Sequence, residues 1–465
     1  RDPEMSRGLG DVYKRQGNVA YSNGILFNEG KELGNGAQHY HFTGDVTLEK
    51  GTYLLKGWVY VDNGAKLRIP AGTVIKGDKQ TMAALIVEPG GYVEMNGSKE
   101  SPVVMTSAQA PGSRRPGDWG GLIICGRARN NQNTMQIEGG PTTIHGGDND
   151  NDNSGVYQYV RVEFAGYPFD TDKEINGITF GSVGRGTIID HIQVSYSNDD
   201  SFEWFGGAVD CKYLVAYKGW DDEFDTDNGF SGTVEYCLSV RDPRIADTSQ
   251  SNGFESDNNA SGAETTPFTT AKFRHVTFIG PMTSKNAGFE NTSEYITAGS
   301  VYPNNGSKLG LFQAAMQIRR GSKLNAENLL AVGYPIGLII DGEKGNTVKY
   351  AQNGDFILDN IIFAGMGVIG TDRNKLYEDY FYDYATGTED RTRDSFSHTF
   401  FLSNPNNKVM TEEQLNLTDP MNVGQNYCPV SSLLDSDGGY VGAFRDASDN
   451  WLEGWTCFDP QNMEY

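Results

Sequence analysis

Two pairs of adjacent aspartates are the residues of this chain with the clearest chemical potential. They are Asp199-Asp200 and Asp221-Asp222, and the two pairs lie 22 positions apart. Paired carboxylates can supply an acid with a raised pKa beside an ionised base, an arrangement that hydrolyses glycosidic bonds. The four aspartates are therefore candidate catalytic residues.

The acidic motif continues on the apolar segments that follow each pair. Glu203 and Asp225 keep the offset of 22, and Glu255 takes the matching place one irregular repeat later. Asp227 and Asp257 lie two residues further on. If the repeats stack, like charges about 4.8 Å apart repel by about 0.9 kcal/mol in water and by more near a protein surface.

Three interpretations of these acids stay open. The aspartates can be turn residues that accept backbone N–H bonds while the outer carboxylates are solvated. They can bind a hard cation with oxygen ligands, for which Ca²⁺ is the first choice. They can also act on a polysaccharide. For the cation we expect Asp225, Asp227, Glu255 and Asp257 as ligands.

A ligand-binding surface beside the acids would use aromatic and basic side chains. Trp220, expected in a turn, is the best candidate for stacking against a sugar, and Glu203 could bind hydroxyl groups. Trp204 is two residues after Phe202 and is expected to point into the core. A calcium-dependent lyase would need a basic residue near the metal, for which Arg319 and Arg320 are the candidates.

A second acidic segment, Asp148–Gly155, begins like a calcium-binding loop. Its twelfth position from Asp150 is Arg161 rather than the required glutamate. We expect either a looser Ca²⁺ loop or an Asx-rich turn.

The elements that must position these residues are short apolar runs separated by Gly, Asn and Asp, with almost no helical periodicity. One unit recurs seven times, with its shortest steps at 22 and 23 residues. A coil of about that length, with three strands and three turns, favours an all-β fold: a single right-handed parallel β-helix with caps at both ends. The unit begins at Tyr159, His191, Tyr213, Tyr236, His275, Asn328 and Asn360.

Composition narrows the function classes. The net charge of −23 argues against nucleic acid and anionic membranes as partners. A chain with 37% hydrophobic and 11% aromatic residues is too apolar for a disordered protein. No run of about 18 apolar residues would span a bilayer as a helix.

The predicted organisation has four segments. Residues 1–16 read like a translated sequencing adapter and are left out of the fold, so a signal peptide can have been lost with the natural N-terminus. Cys428 and Cys457 could form a disulfide in an exported protein. The segments are the non-native residues 1–16, an N-terminal cap at 17–45, the β-helix at 46–371 and an irregular C-terminal cap at 372–465.

Several motifs together resemble a family of secreted or surface β-helix proteins of Bacteroidota. The resemblance runs from about Lys50 to the end, and some members of that family are labelled as type IX-sorted proteins, lipoproteins or multidrug transporters. It implies an extracellular or outer-membrane location and supplies no catalytic residue. The motifs are VYVDNGAKLRIPAGTVIKGD, GDWGGLIICG, QIEGGPTT, YVRVEFAG, NDDSFEWFGG, KGWDDEFDTD, SNGFESDN and WLEGWTCFDP.

The paired aspartates also resemble the element of polygalacturonase-type glycosidases. The chain lacks the Gly-His-Gly and Arg-Ile-Lys elements that accompany it there. The leading expectation is therefore a non-enzymatic surface protein that presents an acidic, Ca²⁺-binding face to a glycan or another surface ligand. The alternatives are a polysaccharide lyase or glycoside hydrolase, and a structural stalk or adhesin.

Overall fold

The computed structural model describes most of the chain from residue 19 onwards. The predicted adapter segment and Cys428 lie outside the described residues, so neither prediction about them is tested. The described residues are 19–21, 24–26, 31–170, 173–283, 286–297, 305–306, 310–417, 419–423, 427 and 439–465.

One long parallel sheet, called sheet 1 below, carries one strand from each coil. Its neighbours in the sheet are successive coils of the chain, as a solenoid requires. Its twelve strands are Val19–Tyr21, Tyr40–Phe42, Trp58–Val61, Ala84–Val87, Gly121–Cys125, Ile178–Gly181, Phe202–Phe205, Phe224–Asp227, Phe254–Ser256, Ala314–Ile318, Ile336–Ile340 and Val368–Thr371.

A second parallel sheet, called sheet 2, covers the other two sides of each coil. In the early coils these sides are separate short strands, which merge into one long strand from Gly155 onwards. Its sixteen strands are Gly24–Leu26, Glu32–Leu33, Asp45–Leu48, Thr52–Leu55, Lys66–Pro70, Val74–Gly77, Tyr92–Asn96, Val103–Ser107, Gly155–Glu163, Ile188–Ser195, Cys211–Tyr217, Thr233–Val240, Lys272–Ile279, Asn325–Val332, Leu358–Ala364 and Lys408–Met410.

The chain alternates between the two sheets and pairs in parallel throughout them, so the fold is the predicted parallel β-helix. Its interior is a continuous column of apolar side chains from both sheets. Phe202, Phe224 and Phe254 lie side by side in register in this column and are fully buried.

The repeated unit found in the sequence marks a bend in the long strands of sheet 2. Each of its seven first residues has a positive φ, from 48° at Tyr159 to 61° at Tyr236. This left-handed conformation turns the strand from one side of the coil to the next. The side chains at the bend stack outside the helix, with ring centroids 4.4 Å apart for Tyr159 and His191 and 4.3 Å for His191 and Tyr213.

The remaining elements are insertions between coils and a C-terminal segment. Ladder strands also occur inside both segments predicted as caps, for example Tyr40–Phe42 and Lys408–Met410. The three antiparallel hairpins of the described residues are Met135–Gln136 with Ile144–His145, Pro168–Asp170 with Lys173–Glu174, and Phe381–Asp383 with Thr388–Asp390. The helices are Ser293–Thr297, Thr347–Asn353, Phe396–Ser403 and Glu412–Leu415.

Candidate functional site

The outer face of sheet 1 brings the predicted acidic column together. Glu203 pairs in register with Asp225, and Asp225 pairs with Glu255 on the next coil. Their neighbours in sequence, Phe202 and Phe224, point inward, so alternation along the strand turns the three carboxylates outward. The stacking expected from the 22-residue offset is confirmed for these positions.

The turns before the strands add the aspartate pairs to this column. Three sets of carboxylates each have ligand oxygens within 4.8 Å of one another, and the sets share members. We call their seven residues the carboxylate cluster. The sets are Asp199, Asp200 and Asp221; Asp200, Glu203 and Asp225; and Asp222, Asp225 and Glu255.

Three of the seven members of the carboxylate cluster are buried, and the other four are half-buried. Asp222 is 4% exposed, Asp200 6% and Glu203 9%. Burial, followed by repulsion from neighbouring carboxylates, raises the pKa of Asp200 and Asp225 well above the ordinary aspartate value. The same two causes raise the pKa of Asp199 well above that value.

Two aspartates of the cluster also hold the turns of successive coils together. Asp200 Oδ1 accepts the backbone N–H of Asp222 at 2.9 Å, and Asp222 Oδ1 accepts that of Asn252 at 2.5 Å. These bonds support the interpretation of the acids as turn residues for one oxygen of each side chain. These backbone bonds do not compensate the negative charge of the carboxylate cluster.

Little positive charge faces most of the cluster. Within the described part of the chain, no Lys or Arg side chain forms an ion pair with the six cluster members other than Glu255. Asp221 Oδ1 and Asp225 Oδ1 are buried and have no hydrogen-bond donor among the described residues. Such oxygens are stable when they are protonated or bound to a cation.

Arg319 lies at one end of the cluster and neutralises it there. Its Nη2 donates to Glu255, and its Nε donates to Asp257 Oδ1 at 2.8 Å. Burial opposes its charge, but attraction by Glu255 and Asp257 raises the pKa of Arg319 well above its usual value. Arg320 Nη1 donates to the other oxygen of Asp257 at 2.8 Å. The two arginines therefore act as ion-pair partners, and a proton-accepting role for Arg319 is disfavoured.

The predicted set of metal ligands is only partly brought together. Asp225 and Glu255 belong to the carboxylate cluster, with Asp222 as the third group. Asp257 is engaged by the two arginines, and Asp227 Oδ1 accepts the neighbouring N–H of Asn228 at 2.5 Å. Neither Asp227 nor Asp257 joins a group of converging ligands among the described residues. Ion pairing engages Asp257 and a local turn engages Asp227, and their role as metal ligands stays a prediction.

The burial of Trp220 contradicts the prediction that it presents its ring to a ligand. Trp220 is 2% exposed and packs in an apolar cluster outside the helix with Leu238, Val240 and Ile245. Trp204, expected in the core, is fully buried there and stacks on Phe180. Among the described residues, therefore, no tryptophan ring beside the carboxylate cluster is available to stack against a sugar.

Sequence reasoning missed the buried ion pair that carries the Asp221–Asp222 turn. Glu223 and Arg241 are both fully buried and bonded to each other. Arg241 Nη1 also donates to the backbone oxygen of Asp221 at 2.6 Å. Glu223 lies within the acidic motif itself, but its partner lies 18 residues away, directly after the sheet 2 strand Thr233–Val240, and no sequence pattern links the two.

The second acidic segment, Asp148–Gly155, is engaged in local bonds. Asp152 Oδ2 accepts the N–H of Arg127 at 2.8 Å, and Asp150 pairs with Arg129. Asn153 Oδ1 accepts the N–H of Gly155 at 2.9 Å. Of the two alternatives for this segment, a looser Ca²⁺ loop and an Asx-rich turn, these contacts match the Asx-rich turn.

The fold and the acidic face can now be compared with known families. The family described as the pectate-lyase like beta helix domain matches residues 40–397, well over half of the chain. The chain belongs to this family. No curated protein and no solved structure matches it.

The pectate-lyase-like fold supports a carbohydrate-related role in general. Among the described residues, no helix has both the length and the apolar character needed to cross a membrane. A buried set of carboxylate oxygens on the outer face of the β-helix can do two things chemically. It can bind a hard cation through oxygen ligands, or it can keep one acid protonated beside an ionised one.

Proposed function

We propose that this pectate-lyase-like protein binds Ca²⁺ at the carboxylate cluster and presents the resulting face to a neutral glycan, without cleaving it. The protein would act at the cell surface or outside the cell, as the sequence resemblance implies. With its net charge of −23, it would repel a polyanionic glycan unless the cation bridges the two.

One observation carries the cation proposal. Within each of three overlapping sets, one carboxylate oxygen per residue lies within 4.8 Å of the others. Asp221 Oδ1 and Asp225 Oδ1 are buried and have no donor among the described residues. Mutual repulsion and burial work against ionisation of all of them in the metal-free protein. Ca²⁺ takes 6–8 oxygen ligands at about 2.3–2.6 Å, which matches the chemistry of this donor set.

Glycan cleavage is the second candidate function, and it is favoured by the raised pKa of Asp200 and Asp222 next to other carboxylates. Each of these side chains already accepts a backbone N–H, however, and each is at most 6% exposed. If the protein is an enzyme, Asp200→Asn or Asp222→Asn abolishes glycan cleavage, and the assay is run at saturating Ca²⁺ because both residues also belong to the carboxylate cluster.

The decisive experiment measures Ca²⁺ binding by calorimetry after chelation. We expect saturable binding to the full chain and a rise in melting temperature with Ca²⁺, because a ligand that binds only the folded state stabilises it. Asp225→Asn removes a central ligand oxygen and its charge, so it should weaken Ca²⁺ binding at least about tenfold.

The matched control is Asp459→Asn, an exposed aspartate outside the cluster. It should bind Ca²⁺ like the unmodified chain. Equal melting curves in chelator and in millimolar Ca²⁺, or equal loss of binding in both variants, would rule the cluster out as the cation site. A glycan affinity that is equal in chelator and in Ca²⁺ would separate the glycan part of the proposal from the cation.

A further inference from the structure

A cavity of about 320 Å³ lies near the C-terminal end of the β-helix, away from the carboxylate cluster. Its size is at the lower end of the range of about 300–1,000 Å³ that is typical of small-molecule sites. None of the cluster residues lines it. Its lining residues are Gly342, Gly345, Asn346, Val348, Lys349, Gln352, Asp372, Phe381, Tyr382, Asp383, Tyr384, Ala385 and Phe396.

Insertions from two successive coils form the walls of this cavity. One wall is the helix Thr347–Asn353, which follows the sheet 1 strand Ile336–Ile340. The other is the hairpin that begins with Phe381–Asp383 and follows the next sheet 1 strand, Val368–Thr371. Because these two strands pair in parallel, the register of the sheet fixes the two walls against each other.

A buried aspartate at the base of the cavity holds the hairpin wall in place. Asp372 is 1% exposed and accepts backbone N–H bonds from Tyr382 at 3.1 Å, Phe396 at 2.9 Å and Ser397 at 3.0 Å. The hydroxyl of Tyr384 donates to the backbone oxygen of the same aspartate. The aromatic lining is thus fixed before any ligand arrives, which lowers the entropic cost of binding.

The two walls differ in chemistry. The hairpin side contributes half-buried aromatic rings, namely Phe381, Tyr382 and Tyr384, with Phe396 beside them. The helix side contributes Lys349 and Gln352, which are exposed and one helical turn apart. Within the described part of the chain, neither Lys349 nor Gln352 has a hydrogen-bond or ion-pair partner among the contacts of the folded protein.

We propose that this cavity binds a neutral saccharide of one or two rings, by contacts that need no cation. The C–H face of a sugar packs on aromatic rings, and its hydroxyl groups take both donors and acceptors. Arg393 lies over the ring of Phe381 and Arg373 over that of Tyr382, so a sugar would use the opposite faces of these two rings.

Lys349 and Gln352 supply donors. Asp383 uses Oδ1 to accept the backbone N–H of Ala385 at 2.8 Å, so its second carboxylate oxygen is the acceptor for a ligand. An apolar ligand would leave these polar groups unpaired, and an anionic sugar would be opposed because two lining carboxylates, Asp383 and Asp372, outnumber the single lining cation, Lys349.

This site goes beyond the function proposed above, because it binds sugar independently of Ca²⁺ and of the carboxylate cluster. A glycan held at the acidic face could also be held here by another residue along its chain. Failure of one site therefore leaves the other intact, and chelator distinguishes the two.

The test is calorimetric titration of glucose, galactose, cellobiose and lactose into the full chain in the presence of EDTA. We expect at least one of them to bind with a stoichiometry of one. Gln352→Ala and Lys349→Ala each remove one hydrogen-bonding group and should weaken binding by about three- to tenfold. Glucuronate, tested in the same way, should bind more weakly than glucose.

The matched control is Asn353→Ala, an exposed residue at the end of the same helix that does not line the cavity. It should bind the sugar as the unmodified chain does, with an equal melting temperature. Absence of binding for all four sugars in EDTA overturns the proposal. So does an affinity that is unchanged in both Gln352→Ala and Lys349→Ala.

Discussion

The outer faces of the two sheets stack residues in the same way but with opposite consequences. On sheet 1, Glu203, Asp225 and Glu255 bring like charges into register. On sheet 2, neutral groups stack at the left-handed bend, and Asn360 Nδ2 donates to Asn328 Oδ1 at 2.7 Å. Because successive coils stack in register, the interaction made by one outward residue is repeated along the sheet. Stacks of neutral groups therefore stabilise the fold, and stacks of like charges destabilise it.

The two faces are also covered differently. Outward apolar residues of sheet 2, such as Val215, Leu238 and Leu330, pack against the C-terminal segment in a second apolar cluster. The last residues tie back to early coils, since Arg114 donates to the backbone oxygen of Pro460 at 2.6 Å. Sheet 2 is therefore stabilised by the chain itself, whereas burial and mutual repulsion oppose ionisation of the carboxylate cluster on sheet 1.

The largest effect is expected on the covered face of sheet 2. Trp455 is fully buried, meets the rings of Tyr159 and His191 edge-on, and donates its indole N–H to the backbone oxygen of Trp451 at 2.7 Å. Trp455→Ala should lower the free energy of unfolding in urea by about 3–5 kcal/mol.

The control for this prediction is Leu402→Ala, which removes a side chain that is 48% exposed and should cost less than about 0.5 kcal/mol. A loss below about 1 kcal/mol for Trp455→Ala would mean that the C-terminal segment covers sheet 2 without stabilising it.

The sequence predicted the coil and the register because both follow from local alternation and one period. The pairing of Glu203 with Asp225 needs only the offset of 22 residues and the inward position of Phe202 and Phe224. The sequence also predicts the repeated unit, but not the positive φ of its first residue, because Tyr, which begins three of the seven units, rarely adopts a left-handed conformation.

Contacts made by segments distant along the chain could not be predicted from the sequence. Trp220 is buried in an apolar cluster whose members include Val240 and Ile245, which follow it in the chain. Asp257 is taken by Arg319, 62 residues further on. The repeat period predicts which residues stack on successive coils. Which other segments cover those residues depends on the lengths of the irregular insertions, and the period does not predict these lengths.

The second prediction tests the difference between the two faces through the pH dependence of stability. In chelator, the raised pKa of cluster acids such as Asp200 and Asp225 means that their protonated forms favour the folded state. This stabilisation is fully present below the ordinary aspartate pKa of 3.8 and is lost as pH rises through the raised values of the folded protein. The melting temperature of the chelated protein should therefore fall as pH rises from 4 towards 8.

Millimolar Ca²⁺ should flatten this pH dependence, because the cation compensates the ionised cluster. In chelator at pH 7, Asp225→Asn should stabilise the protein by about 1–3 kcal/mol through the repulsion that it removes. Melting curves from pH 4 to 8, with and without Ca²⁺, test both statements. A chelated protein whose stability rises with pH over this range would show that the cluster is already compensated.

The smallest effect concerns the neutral stack of sheet 2. Asn360 has a φ of 53°, a conformation that glycine adopts freely and alanine does not. Asn360→Gly keeps this backbone and loses only the bond to Asn328, which is worth about 1 kcal/mol. Asn360→Ala loses the bond and adds strain, so it should cost about 1–2 kcal/mol more than the glycine variant.

Urea unfolding of the two variants separates the contribution of the amide stack from that of the backbone bend. If both variants lose the same free energy, the left-handed bend carries no strain for alanine, and the side-chain stack alone accounts for Asn at this position. If the glycine variant is as stable as the unmodified chain, stacking of neutral groups adds nothing. The contrast between the two faces then rests on the repulsion within sheet 1 alone. The neutral column would leave the free energy of unfolding unchanged, and the charged column would lower it.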